Sequence, residues 1–310
     1  MKLVFAGTPK IAAQVLNFLV SSGHEVVCVL TRSDAVVGRK REEHPSAVAI
    51  EAAALGIPVI KANRVTSNEL KLIQSYGAEL GVVVAYGSIL KPEALESLEN
   101  GWFNLHFSML PKYQGAAPVQ RALIDGQKET GVTFFKLDEG MDTGLIAGSV
   151  RTEIMARESA GELLTRLTEL GCSLLSELLP KLYTGILALQ NQVGEPSSAP
   201  KPTRTEARID FTQSAGLIEN LVRGMNPEPM AWCLTGELPM RIIEASERSL
   251  SNRYEKQNFE PGVIYLDEGR VLVACGSGSA LELLVVQPTS KRAMEAKSWY
   301  NGNRRIEKLS

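Results

Sequence analysis

Two hydrophobic periods alternate along the first half of the chain. Leu3 to Ala6 is a short continuous apolar run, the pattern of a strand buried on both faces. Thr8 then stands as a helix N-cap with Pro9 at the first helical position, and apolar residues recur at Ile11, Val15, Leu16 and Leu19. Glu25–Thr31 is a second strand pattern, and helical patterns follow over Ser46–Leu55 and Ser67–Tyr76. Pro58–Ile60 is a short strand, Gly81–Ala85 a buried one, and Trp102–Phe107 and Gly131–Leu137 complete the set. This strand–helix–strand rhythm predicts an α/β fold with a mostly parallel sheet and helices on both faces.

Ser159–Tyr183 places Leu163, Leu164, Leu167, Leu170, Leu174, Leu175, Leu178 and Leu179 at helical spacing, so one long helix closes the first domain. Between Gly194 and Arg208 the composition turns to Pro, Ser, Thr and Ala, which predicts a semi-rigid extended linker. Beyond it come one helical segment, Ser214–Arg223, and five short β-rich runs: Ala231–Leu234, Met240–Ala245, Gly262–Tyr265, Val271–Ala274 and Leu281–Gln287. Short strands at this spacing predict a small β-barrel. The expected division is a catalytic domain over 1–189, a linker over 190–207 and a barrel over 208–310.

Composition narrows the class. With 44% hydrophobic and 22% charged residues over 310 positions, the chain can bury two ordinary cores and is not globally disordered. A formal net charge of −2 excludes a strongly basic, coat-like protein, though not a local basic patch. The longest apolar run, Leu80–Ala85, falls far short of the ~18 residues a membrane helix needs. The apolar start is too short for a secretory signal. Cys28, Cys172, Cys233 and Cys275 are widely separated and form no CxxC pair, so no metal site is expected of them; they read as buried free thiols in a reducing cytoplasm.

The chemistry lies between Gly101 and Gly144. The chain has 3 histidines. One of them, His106, sits two residues after Asn104 at the carboxyl end of a predicted strand, so the two share a face. Carboxyl ends of strands are where open α/β sheets place ligands. A loop rich in Pro and Gly follows, Ser108 to Pro118, and a helix begins at Pro118 or Val119. After the next strand, Asp142 lies between Gly140 and Gly144, glycines that allow tight backbone geometry, and one crossover is expected to bring it to His106. Asn supplies a neutral donor for a developing oxyanion, His moves a proton near neutral pH, and Asp orients the imidazole and favours its cation. A single strand-end histidine is most often structural; the three types in one loop system suit direct acyl transfer to an amine without a covalent acyl-enzyme.

These residues carry a resemblance. Asn104-x-His106, Ser108–Pro111, Gly115–Pro118 and Asp138-x-Gly140-x-Asp142-Thr143-Gly144 resemble the formyltransferases that use 10-formyltetrahydrofolate, as do Phe5–Pro9 and Val82–Gly87. Glu206–Phe211, Asn226–Trp232 and Leu283–Met294 are most similar to the methionyl-tRNA formyltransferase branch, so the resemblance covers about residues 1 to 300. It departs at Phe107, Met109 and Lys10. The resemblance implies a Rossmann-like catalytic domain and an OB-like C-terminal barrel that helps hold the tRNA. It implies Asn104, His106 and Asp142 as catalytic residues, and no metal. It further implies folate contacts from Ser108, Met109, Leu110, Pro111, Val84, Ala85, Tyr86, Gly87, Asp138 and Gly140.

The partners so implied are 10-formyltetrahydrofolate and methionyl initiator tRNA, with no membrane, for a monomer. Arg39, Lys40 and Arg41 would reach the acceptor end of the tRNA, with further contacts from Lys201, Arg204, Arg208, Lys291 and Arg292. From residue 200 onward the chain holds 15 basic and 14 acidic residues, so RNA binding there needs local clustering rather than bulk charge. A dinucleotide oxidoreductase is disfavoured because no GxGxxG follows an early strand. A related folate enzyme that formylates a small amine, or a hydrolase of the formyl donor, is the alternative. A non-catalytic RNA-binding module is disfavoured by the intact trio.

Overall fold

The computed structural model describes residues 1–37, 42–248 and 259–310. Arg39, Lys40 and Arg41 lie outside the described residues. The chain separates into two compact units, Met1–Pro118 with Glu129–Glu153 and Leu164–Ala199, and Val119–Lys128 with Ile154–Leu163 and Pro200–Ser310.

The first unit begins with β1 (Leu3–Gly7), α1 (Lys10–Ser21), β2 (Val26–Thr31), β3 (Ala35–Val37), β4 (Glu42–His44), α2 (Ala47–Ala54), β5 (Val59–Lys61), α3 (Ser67–Ser75) and β6 (Leu80–Val84). The chain continues through α4 (Pro92–Leu95), β7 (Trp102–His106), α5 (Pro118–Ile124), β8 (Glu129–Lys136), β9 (Ile146–Glu153) and α6 (Ala160–Tyr183), of which α5 from Val119 on and the start of α6, up to Leu163, belong to the second unit. Its main sheet runs β5-β2-β1-β6-β7-β8-β9. The pairs from β5 to β7 are parallel and those from β7 to β9 antiparallel. Every residue of β1 and β6 is buried, as expected of central strands in a sheet covered by helices. Helix α1 turns Ala12, Val15, Leu16 and Leu19 inward. The expected Thr8 cap is not made: Pro9 is the N-cap, and Thr8 Oγ1 instead donates to Tyr86 O at 2.8 Å. The hydroxyl ties the loops after β1 and β6 together, a long-range bond that outcompetes the local cap. Ser46 and Thr66 do cap α2 and α3.

Strand β9 has no counterpart in the sequence reading. Its residues alternate between half-buried and exposed on a sheet edge, and it lacks the apolar run that betrays a central strand.

The second unit adds α7 (Ala215–Met225), β10 (Trp232–Thr235), β11 (Leu238–Arg248), β12 (Ile264–Asp267), β13 (Arg270–Ala274), β14 (Ala280–Pro288), β15 (Met294–Glu295) and α8 (Ala296–Gly302). Its antiparallel sheet, β10-β11-β14-β13-β12 with β15 on β14, curls into a half-barrel consistent with an OB-like domain. Irregular register between β11 and β14 around Glu244 helps it curl. The two edge strands meet the end of the chain, through bridges Thr235–Leu309 and Val263–Lys308. Leu309 is thereby buried in a core that includes Ile218, Val222, Ile242, Leu281 and Trp299. No described helix is long and apolar enough to cross a membrane. Cys28, Cys233 and Cys275 are buried free thiols and Cys172 a half-buried one, and burial pushes the Cys28 thiol up to about 12.

Candidate active site

Strand β7 reads Trp-Phe-Asn-Leu-His, and its alternation sets the site. Phe103 and Leu105 are buried, while Asn104 and His106 share the opposite face. Asn104 pairs with Val83 of β6 and Phe135 of β8, and His106 with Thr133. The Oδ1 atom of Asn104 is buried without a hydrogen-bond partner. The His106 ring is buried edge-on to Phe135, with centroids 6.3 Å apart.

Asp142 reaches His106 by a route the sequence does not show. Strand β8 runs antiparallel to β7, with Lys136 opposite Phe103 and Thr133 opposite His106. It therefore ends beside the start of β7, about 10 Å of strand away from His106. No crossover joins the strand ends as expected; the β8–β9 loop doubles back. Asp142 takes a left-handed backbone conformation, φ 57°. Gly144 is required for space, since a Cβ there would lie 1.8 Å from Lys136 O. The Asp142 carboxylate accepts from Gly115 N at 2.7 Å, and its Oδ2 lies 3.6 Å from His106 Nδ1.

His106 Nε2 lies 2.8 Å from Tyr113 O. A carbonyl oxygen only accepts, so the neutral ring carries its proton on Nε2 and presents the Nδ1 lone pair to Asp142. Two acceptors facing each other make a seat for one added proton. Burial pushes the His106 pKa below its ordinary value, against the smaller raising effects of Asp142 and the Tyr113 carbonyl. Asp142 thus favours the cation as expected, but burial outweighs it in the resting site.

The loop after β7 is tied down from several sides. Ser108 is fully buried; its Oγ donates to Lys112 O at 2.6 Å. Thr133 Oγ1 donates to Ser108 O at 2.7 Å and accepts from Leu110 N at 3.3 Å. The Met109 side chain lies over Gly131, where a Cβ would come 2.4 Å from its Sδ. Residues 197–199, within the expected linker, brace the next stretch. Ser197 Oγ accepts from Tyr113 N at 2.9 Å, and Ala199 O accepts from Ala117 N at 3.0 Å.

The other expected folate residues fall into two groups. After β6, Val84 is buried while Ala85 and Gly87 are exposed with positive φ. Tyr86 as a whole is 1% exposed; its hydroxyl donates to Ala62 O at 2.6 Å, and burial pushes that hydroxyl up to about 12. Its carbonyl accepts from Thr8 Oγ1, so Tyr86 presents no surface to a ligand; the exposed Ala85 and Gly87 on either side do. Asp138 Oδ1 accepts from Gly140 N and Thr143 Oγ1, at 3.1 and 2.8 Å, and so shapes the Asp142 loop. Thr133, Tyr113 and Gln192 are residues of this site that sequence reasoning missed. Each acts through a backbone contact or at long sequence separation, which leaves no local pattern.

On the second unit, Arg204 and Lys291 line one groove of about 500 Å³ together with Trp232, Gln287 and Arg241. Among the described residues, no acidic one lines it. The guanidinium carbons of Arg204 and Arg208 each lie 5.6 Å from the Trp232 ring centre, within cation–π range. Arg208, Lys201 and Arg292 are exposed and do not line this groove. Arg241, unremarked in sequence, joins the cluster through β-sheet register, being opposite Gln287 on β14.

A parallel sheet bearing an acceptor-rich site, followed by a curled antiparallel sheet, is the architecture of a two-part formyl transferase. The family model "Formyl transferase" matches residues 1–179, and "Formyl transferase, C-terminal domain" matches residues 201–304. Methionyl-tRNA formyltransferase of Clavibacter sepedonicus is 40% identical over 302 residues, covering 97% of each chain. That of Paenarthrobacter aurescens is 42% identical over 302 residues, again covering 97% of each chain. The chain belongs to the methionyl-tRNA formyltransferase family. Among solved structures, the N-formyltransferase from Helicobacter canadensis in complex with folinic acid and dTDP-3-aminofucose shares the fold. Its TM-score is 0.67 at 20% identity, covering 93% of this chain and 99% of that one. The sugar 3N-formyl transferase WlaRD, solved with dTDP and 5-N-formyl-THF, likewise has TM-score 0.67 at 19% identity, covering 94% of this chain and 99% of that one.

Proposed function

We propose that this chain transfers the formyl group of 10-formyltetrahydrofolate to the α-amino group of methionyl initiator tRNA, with Asn104, His106 and Asp142 as its catalytic residues. The observation that carries the roles is that Asn104 and His106 share one face of β7 with the Asp142 carboxylate 3.6 Å from His106 Nδ1; on that face the Asn104 amide oxygen is buried without a partner, open to the N–H of an incoming amine. An orphaned buried acceptor costs about 1–3 kcal/mol, and a bound N–H donor relieves it. Of the expected folate residues, Met109, Ala85, Gly87, Asp138 and Gly140 offer surface to the folate, while the buried Ser108, Leu110, Pro111, Val84 and Tyr86 hold those loops in shape. The folate supplies a formyl carbon activated on N10.

Amino groups of this kind titrate at about 7.7–8.0, so part of the methionyl amine is neutral and nucleophilic near pH 7. As it attacks, the Asn104 amide N–H stabilises the charge developing on the formyl oxygen. His106, kept neutral by burial, accepts the excess amine proton at Nδ1, and Asp142 stabilises the resulting cation. The proton then passes to the departing N10. None of the three residues acts as a nucleophile.

Arg204, Arg241 and Lys291, with Trp232, offer phosphate contacts and a stacking face to the tRNA. The exposed Lys201, Arg208 and Arg292 add positive charge on the same unit; Arg39, Lys40 and Arg41 are expected contacts that lie outside the described residues. Buried free thiols fit a reducing cytosol. The 40% identity over nearly the whole of both chains favours this reading over a small-molecule formyltransferase or hydrolase.

The test is formyl transfer from 10-formyltetrahydrofolate to methionyl initiator tRNA, run beside uncharged tRNA, free methionine and glycinamide ribonucleotide. Label on the methionyl-tRNA alone is expected. Asn104→Ala should cut turnover by about 10²–10³ while leaving the fold intact. Near-wild-type turnover in that variant overturns its role, and label on a small amine alone overturns the substrate.

A further inference from the structure

Gln192 lies where composition predicts only a linker, yet its side chain reaches the Asp142 loop. Its Nε2 donates to the carbonyls of Asp142 at 2.7 Å and Gly144 at 2.9 Å. Its Oε1 accepts from Gln114 Nε2 at 3.3 Å, and the same Gln114 nitrogen donates to Asp142 O at 3.3 Å. Two side-chain amides therefore hold the Asp142 carbonyl, at a residue with φ 57°. A non-glycine residue in that region persists only where its surroundings over-determine it. The base of the clamp is anchored too: Gln190 and Ile146 exchange backbone hydrogen bonds at 2.8 and 2.9 Å, which pins this segment to the first residue of β9.

We infer that Gln192 is a positioning residue for formyl transfer: it holds the 138–144 loop folded back so that the Asp142 carboxylate stays against His106. The inference rests on the roles assigned above to His106 and Asp142. Gln192 touches neither reacting group; it acts on the backbone of the residue that does. Without Gln192, the Asp142 carbonyl keeps only the long 3.3 Å bond from Gln114 among its side-chain contacts, and the Gly144 carbonyl loses its amide donor, while the carboxylate still accepts from Gly115 N.

The test compares Gln192→Ala with Gln192→Glu. The Glu variant keeps the size of the side chain but offers no N–H donor to the two carbonyls. Both should lower kcat by about 10–100-fold, because small misplacements of catalytic groups cost on this scale. The KM for methionyl-tRNA should stay within about threefold, since no ground-state contact to it is removed. The imidazole titration of His106, followed by NMR, should move to lower pH in Gln192→Ala, which adds no charge; in Gln192→Glu the new carboxylate beside the loop opposes that shift. Asp142 is the ionisable group whose charge raises it, and a receding carboxylate raises it less. His24 should titrate as in the wild type.

If the Ala variant does not fold, the Glu variant carries the test alone. A wild-type kcat in Gln192→Glu overturns the inference, and so does a lowered kcat in Gln192→Ala with an unmoved His106 titration, which marks a merely structural residue. Asp142→Asn separates the two levels. If it retains turnover, the underlying assignment falls. If it is inactive while Gln192→Glu is active, only the role of Gln192 falls. Adding Gln192→Glu to Asp142→Asn should lower kcat no further, because both changes act through one carboxylate.

Discussion

Thr133→Val isolates a single hydroxyl that holds the loop proposed to contact the folate. Thr133 is fully buried on β8, opposite His106. Its Oγ1 donates to Ser108 O at 2.7 Å and accepts from Leu110 N at 3.3 Å. Valine has nearly the same shape, so the variant leaves no cavity; it leaves two buried backbone groups without a partner. Each orphaned group costs about 1–3 kcal/mol, and the long Leu110 bond belongs at the low end, so the sum is about 2–4 kcal/mol. For a unit of this size that lowers the melting temperature by roughly 5–15 °C. Thr133→Ser keeps both bonds and removes one methyl, at a cost of about 1 kcal/mol. Thermal and urea unfolding of the two variants should rank Val well below Ser. The KM for 10-formyltetrahydrofolate should rise in Val and stay near wild type in Ser. A Val variant as stable as the Ser variant would refute the reasoning.

Two further outcomes are expected. The pKa of His106 is lowered in the folded chain, so the unfolded chain binds that proton more readily. This stability is present in full above the ordinary value of 6.5 and is lost as pH falls through the lowered folded value. The urea midpoint should therefore fall on acidification from about pH 7 to about pH 5, and fall less in His106→Asn; His24, also lowered by burial, contributes with the same sign to both. Equal slopes in the two proteins would remove His106 from the account. Arg241→Glu should raise the KM for methionyl-tRNA and flatten its salt dependence by about one unit of log–log slope, with the KM for the formyl donor unchanged. An unaltered salt dependence would take the groove out of the tRNA path.

Much of the fold was legible locally. The buried runs of β1 and β6, the capped α2 and α3 and the leucine-rich α6 all announce themselves within a few residues, where side-chain period reports burial directly. Strand β9 did not, because an edge strand with one half-exposed face has no such run. Helix α8 did not either: it is seven residues long, and its burial is carried chiefly by Ala296 and Trp299. Thr8 was legible as a cap and serves elsewhere, because a polar group has competing partners and only the packed chain decides among them.

The sequence alone determined the order and type of most elements, and it put Asn104 and His106 on one strand face. Both follow from periods of two and 3.6 residues that the covalent chain imposes. Tertiary structure alone decided that β8 runs antiparallel, that Asp142 must return along β7 and that Gln192, 50 residues away, holds it there. It also decided that Tyr86 turns into the core and that Arg241 joins Arg204 and Lys291. These depend on strand direction and register, which are set when whole apolar faces are buried together. No stretch of a few residues carries that information.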